Sequence, residues 1–399
     1  MVEGPSGSVV LAGTVYTNAR STDGLIMQVS SAGQTLGTAH IGRSDQDNLY
    51  QLIRTSDGGY LAAGSMRSVV ATGYVHDPWI LKLDRQLLVQ WQYIYRTAGD
   101  AWVAALAQLS DGKYQVVGTR TENGATHSWL LRLDKTGGIR IQKEYACEKM
   151  STLARAAIFP DGGCIYLSTS WPYDDKNHPV AAIRTDAACD VAWAKEYTGG
   201  NHCEPEDVFP TASGGFACTG GGGAYTPRKW WFVETDARGA ILRQYQYTGE
   251  DPLTRPSFCP ATDGGWLMGG VYDIVFDGTD NLRLLKIKAD GKPDWAKYFV
   301  GAAEQPRQML PMKSGAWTIG TFQASIDGGR AGLYRFSSSL DPCAIYEPQS
   351  WTVGTKKLKL KSRAIDVTAT DGAFQRLDAN GTTSAMTLET EDMCVWNRR

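Results

Sequence analysis

Six acids recur along the chain at intervals of 45 to 58 residues: Asp47, Asp100, Glu148, Glu206, Asp251 and Glu304. Arg155, Arg255, Arg307, Trp102 and His202 lie in the same short segments. Two carboxylates facing one another could hydrolyse a glycosidic bond, one as acid and the other as base or nucleophile. Acids, arginines and aromatics gathered on one face could instead hold a ligand, a cation or a protein. A charged residue in every recurring loop is also explained by solvation alone.

Other constellations are weaker. His76, His127 and His178 are each 51 residues apart. Equivalent positions in successive repeats lie too far apart for one metal ion, which needs its ligands within a few Å. Asp273, Asp277 and Asp280 in DIVFDGTDN could take structural calcium, but the spacing and terminal Glu of an EF-hand loop are missing. GGGGAY at 220–225 lacks the following GK[ST] of a phosphate loop. Thr55, Asp57 and Gly59 match the first half of a sialidase-type S/T-x-D-x-G-x-x-W box, but Ala62 stands where its Trp belongs. HExxH, GxSxG and GxGxxG are absent. No catalytic residue and no cofactor beyond that calcium is expected.

Composition narrows the partner classes. The 40 basic and 42 acidic residues give a net charge of −2, without the basic surplus of a nucleic-acid or anionic-membrane binder. No apolar run approaches the roughly 20 residues of a membrane helix. The first residues, MVEGPSGSVVLAG, show no signal peptide.

The elements that must position these residues come from a repeat. SDGGYLAAG at 56–64 returns as SDGKYQVVG, PDGGCIYLS and TDGGWLMGG. Aligned on the last residue, Gly13, Gly64, Gly118, Ser168, Gly220, Gly270 and Gly320 are 51, 54, 50, 52, 50 and 50 residues apart. A second phrase follows each time (WILKLD, WLLRLD, AAIRTD, WFVETD, RLLKIK), and then a third (WQYIY, IQKEY, WAKEY, RQYQY, WAKYF). Each unit holds four short runs rich in β-branched and aromatic residues, bounded by Gly, Asp or Asn. Four strands per unit of this length is the pattern of a β-propeller blade, whose two sheet faces are covered only by neighbouring blades.

The expected fold is all-β: a seven-bladed propeller over residues 1–348, with eight blades as the competing count. Residues 349–399 form a β-rich C-terminal extension that helps close the ring. The first unit supplies only three clear strands, so its inner strand is expected from that extension.

The frame SDGGYxxxG…WxxKLDxxGxxxWxxxY resembles secreted and cell-surface propeller proteins of bacteria and archaea built from tandem repeats of this form. The resemblance spans about 340 residues. Cys343, the Ser/Thr-rich tail and Cys394 also look like the ends of such proteins. Unit four departs from the frame, having lost the Trp79-like and glycine positions, and the tail is unusually basic. The resemblance implies a periplasmic, extracellular or cell-surface location.

Eight cysteines without a CxxC pair suit disulfides rather than zinc or redox chemistry. The blade arrangement predicts Cys164–Cys189, Cys147–Cys203, Cys218–Cys259 and Cys343–Cys394, and disulfides need an oxidising compartment. The leading expectation is a non-catalytic binding or scaffold propeller with a protein partner at the cell surface or in an extracellular assembly. The alternative is a carbohydrate-active propeller, lectin or glycosidase, using the acids and Trp with a glycan.

Overall fold

The computed structural model describes residues 1–18, 21–43, 46–70, 73–150, 155–169, 179–198, 204–222, 229–248, 256–271, 282–299, 305–323, 330–336, 349–350, 354–357, 361–364, 366, 368–371, 375–378 and 382–384. The chain is a seven-bladed β-propeller of four-stranded antiparallel blades, numbered here 1 to 7 in chain order. Blade 2 is representative: Asp47–Arg54 is innermost, followed by Tyr60–Val70, Gly73–Leu83 and Val89–Arg96. Blade 7 shows three strands among the described residues. The chain divides into two compact units. One is Met1–Ser168, Ala182–Ala194 and Ile365–Glu391; the other is Thr169–Ala181, Lys195–Ala364 and Asp392–Arg399.

The first repeated phrase builds a locked turn. In blade 2, Gly58 takes φ +84, a region that favours glycine. Its N–H donates to Thr55 O, and Thr55 N–H donates to Gly59 O. The Asp57 carboxylate accepts from the Thr55 hydroxyl at 2.6 Å and from Gly59 N–H at 2.9 Å. Lys82, the cation of the second phrase, reaches the same carboxylate at 2.9 Å. Burial pushes the Asp57 carboxyl up, but the bonds from Thr55, Lys82 and Gly59 outweigh it and hold it at about 2. Lys286–Asp263 and Arg184–Asp161 repeat this pair.

The closing glycine has a separate cause. Blades 2, 3, 5 and 7 each carry a one-residue bulge in the inner strand, at Tyr50, Ala104, Glu206 and Arg307. In blades 2, 3 and 5 the bulge presses a backbone carbonyl onto the glycine. A Cβ on Gly64, Gly118 or Gly220 would collide with the carbonyl of Asn48, Trp102 or Glu204. Gly64, Gly118 and Gly220 also face Trp79, Trp129 and Trp231 across the ladder. The indoles of Trp129 and Trp231 lie directly over Gly118 and Gly220. In blade 4 the positions of the glycine and the Trp are Ser168 and Ala181, so both were lost together.

The third phrase ends in a tyrosine that ties blade to blade. Tyr95, Tyr145, Tyr197 and Tyr247 are buried and donate to the carbonyls of Gly137, Cys189, Gly239 and Gly291 in the next blade, at 2.7 to 2.9 Å. The acceptor residue has positive φ in each case. Blade 1 places Ile41 at the tyrosine position, and the matching turn of blade 2 places Leu87 at φ +65. Both are buried in one apolar cluster, so contact between hydrocarbon side chains replaces the hydrogen bond.

The inner strand of blade 1 is not supplied by the tail. Val2–Glu3 occupies that place and pairs with Val9 and Val10. The tail instead adds a fifth, outermost strand to blade after blade, in reverse order. Gln349–Ser350, Gly354–Lys357 and Lys361–Ala364 pair with the outer strands of blades 6, 5 and 4. Thr368–Asp371, Gln375–Asp378 and Thr382–Ser384 pair with those of blades 3, 2 and 1.

Three expected disulfides, Cys164–Cys189, Cys218–Cys259 and Cys147–Cys203, are corrected. Cys164, Cys189, Cys218 and Cys259 are buried and form no disulfide, and the same holds for Cys147. Cys164 Sγ accepts from Gln115 Nε2 at 3.0 Å. Burial pushes its thiol up to about 12, against hydrogen bonds with Thr185 and Gln115. These side chains fill the interior as small apolar groups. Cys203, Cys343 and Cys394 lie outside the described residues.

Candidate functional site

The loops that enter each blade share one end of the strands with the hairpin between the second and third strands. In blade 2 this hairpin is long: Tyr60–Val70 and Gly73–Leu83 have 11 residues each, against nine each in blade 3, whose hairpin is also described through to its turn. Near its tip Arg67 faces His76 across the ladder. The Arg67 guanidinium lies over the Tyr74 ring at 3.5 Å from the centroid. The His76 ring stacks on Trp102 of blade 3, with centroids 4.4 Å apart and planes at 28°. Asp100 Oδ1 accepts the His76 N–H at 2.8 Å and lies 2.9 Å from Nδ1. Asp100 therefore orients the ring and favours the tautomer with its proton on Nδ1. Trp102 is 39% exposed, Tyr74 56% and Val69 72%.

The same facing pair recurs in blade 3 and is handled differently. Arg120 faces His127. Glu144 takes Arg120 in a two-point bond at 2.8 and 2.9 Å, Glu122 binds it at 2.6 Å, and the carbonyl of Ala98 accepts from it. That arginine is tied inward by carboxylates. The arginine of blade 2 lies instead on an exposed aromatic ring.

Seven of the eleven anticipated residues lie within the described structure. Asp47 is fully buried, accepts Arg43 N–H at 2.6 Å and has the Arg43 guanidinium 3.7 Å away, so it braces the entry to blade 2. Asp100 and Trp102 come together, as described. Glu148 is exposed in the turn after blade 3, and Arg155 is half-buried at the start of blade 4. Glu206 and Arg307 occupy inner-strand bulges. His202, Asp251, Arg255 and Glu304 lie outside the described residues, as do Asp273, Asp277 and Asp280. Among the described residues no cluster of acids, His and Cys could hold a metal. Nor is any helix long and apolar enough to cross a membrane.

Arg67, Tyr74 and His76 were not expected as one group. The only signal was the extra length between GYLAAG and WILKLD, filled by SMRSVVATGYVHDP. A residue repeated as His76 and His127 reads as structural until the structure shows that its neighbours differ.

No protein-family model matches the chain, and no curated protein sequence does. Among solved structures it is similar to a variant of the Synechocystis apocarotenoid oxygenase. That match has 12% identity and a TM-score of 0.49, covering 95% of this chain and 94% of the other. It is similar to Sqt1 from Chaetomium thermophilum at 11% identity and TM-score 0.42, covering 88% and 84%. A eukaryotic initiation factor matches at 9% identity and TM-score 0.41, covering 88% and 90%. The assignment of the propeller rests on the seven sheets.

Proposed function

We propose that this propeller is a non-catalytic binding module whose partner is a protein, engaged at the lengthened hairpin of blade 2. The observation behind this reading is the group in which exposed Tyr74 and Trp102 pack on half-buried Arg67 and His76. Arginine, tyrosine and tryptophan are the residues that most often anchor protein interfaces, because they bury large area with few rotatable bonds. Asp100 fixes His76, so the patch is partly pre-ordered and loses less entropy on binding. The repeated polar residues are already engaged in turns, latches and ion pairs.

The place proposed for it is the cell surface or an extracellular assembly. That rests on the resemblance of the repeat, since the described cysteines supply no disulfide. The test is capture of partners from the native source by the wild-type chain and by Tyr74→Ala/Trp102→Ala, followed by mass spectrometry. Partners lost from the double variant support the reading. Equal capture by both proteins overturns it.

One observation favours a second reading. The exposed Trp102 indole lies beside the half-exposed Asp100 carboxylate, and a sugar ring could stack on the one and hydrogen-bond to the other. A glycan array with a reducing-sugar assay separates the two. Sugar bound or released, and lost in Trp102→Ala, would replace the protein partner with a carbohydrate.

A further inference from the structure

The tail strands advance with a fixed step. Gly354–Lys357, Lys361–Ala364, Thr368–Asp371, Gln375–Asp378 and Thr382–Ser384 begin seven residues apart. Each pairs antiparallel with the outer strand of one blade, and successive strands serve successive blades. The first four pair through four residues each and the last through three, with three residues between one strand and the next. The sequence does not repeat at this step: GTKK, KSRA, TATD and QRLD share no residue type at any position common to all four. Main-chain hydrogen bonding explains that freedom, because a strand added to a sheet edge is held chiefly by its backbone.

Asp366, Thr368, Thr370, Gln375 and Arg376, the tail residues whose burial is described, are exposed and bury little surface. Arg376 makes one cation–π contact, with its guanidinium carbon 4.3 Å from the Tyr93 centroid. Segments held by a few exposed backbone bonds open locally, well below the free energy of global unfolding. What such opening uncovers is a sheet edge, and a bare edge is a template for another strand.

We propose that the tail is an exchangeable belt, and that the outer edges of the blades form a binding surface for the tail of a second copy of this chain. The second copy is favoured as occupant because its tail carries the same four-and-three step that the edges already accept. Exchange creates no new contact; it moves existing backbone pairs from one chain to two. Copies would then be joined edge to tail. This surface is separate from the aromatic patch of blade 2, and either could fail without the other.

The test uses full-length chains. Lys143 and Asp371 are directly opposite in blade 3. One population carries Lys143→Cys and another, isotope-labelled, carries Asp371→Cys. The two are mixed, oxidised and digested, with the unsubstituted chain as background. The expected result is a covalent dimer whose linked peptides, one light and one heavy, span positions 143 and 371. A chain carrying both substitutions should close the link within itself and thereby suppress exchange. If the double variant links internally but the mixture yields no covalent dimer above background, the belt does not exchange. If the double variant does not link, the pairing itself is absent. Either result overturns the proposal.

Discussion

At the scale of single residues, the repeated positions each answer a steric or electrostatic demand. Gly118 is pinned between the Trp102 carbonyl and the Trp129 indole. Gly118→Ala should therefore destabilise by about 1–3 kcal/mol, the usual cost of overpacking, read as a lower urea midpoint at unchanged slope. Trp129→Ala should cost about 3–5 kcal/mol by leaving a cavity. The carboxyl of Asp57 is held at about 2, below its ordinary 3.8. Asp263 is also lowered: burial raises it, but bonds from Lys286 and Gly265 prevail. A depressed carboxyl adds stability that is full above its unfolded value and is lost as pH falls through its folded value. Stability should thus decline between pH 4 and 2, and Asp57→Asn/Asp263→Asn should flatten that decline in thermal melts. The strings DGG, KLD and EY were plain in the sequence. Their reasons were not, because Lys82 reaches Asp57 across 25 positions and Tyr95 reaches Gly137 across 42.

At the scale of elements, the tyrosine latch is the clearest device. Where the hydroxyl is missing, Ile41 and Leu87 are buried in one apolar cluster instead. Tyr197→Phe should cost roughly 0.5–1.5 kcal/mol, the net worth of one hydrogen bond. Leu87→Gly should relieve an unfavourable φ but remove buried hydrocarbon, and the cavity should dominate, lowering the urea midpoint. The blade count was legible because four strands repeat at a nearly constant interval. The tail was not. Its strands are four residues or fewer, carry no apolar alternation and pair with partners up to 344 positions away, as Ser384 does with His40. A pattern held by backbone bonds leaves no side-chain signature to read. The disulfides were misread for a related reason: buried thiols and bonded cysteines have the same spacing in a sequence.

At the scale of the whole molecule, the chain separates residues that make blades from residues that make a surface. Repeated residues are spent on turns, bulges, latches and cores. The surface group of blade 2 arises from an insertion into one hairpin and from a tryptophan, Trp102, that no other unit repeats at that place. Two members of that group were visible beforehand, Asp100 and Trp102. The other three, Arg67, Tyr74 and His76, needed the hairpin register that sets them beside Trp102. The five described thiols, all buried, should resist alkylation in the folded state and react on denaturation, as a count of labelled cysteines would show.

The most direct measurement compares Tyr74→Ala/Trp102→Ala with wild type for thermal midpoint and partner capture together. The predicted result is an unchanged midpoint with capture lost. Capture retained at wild-type level would contradict the account.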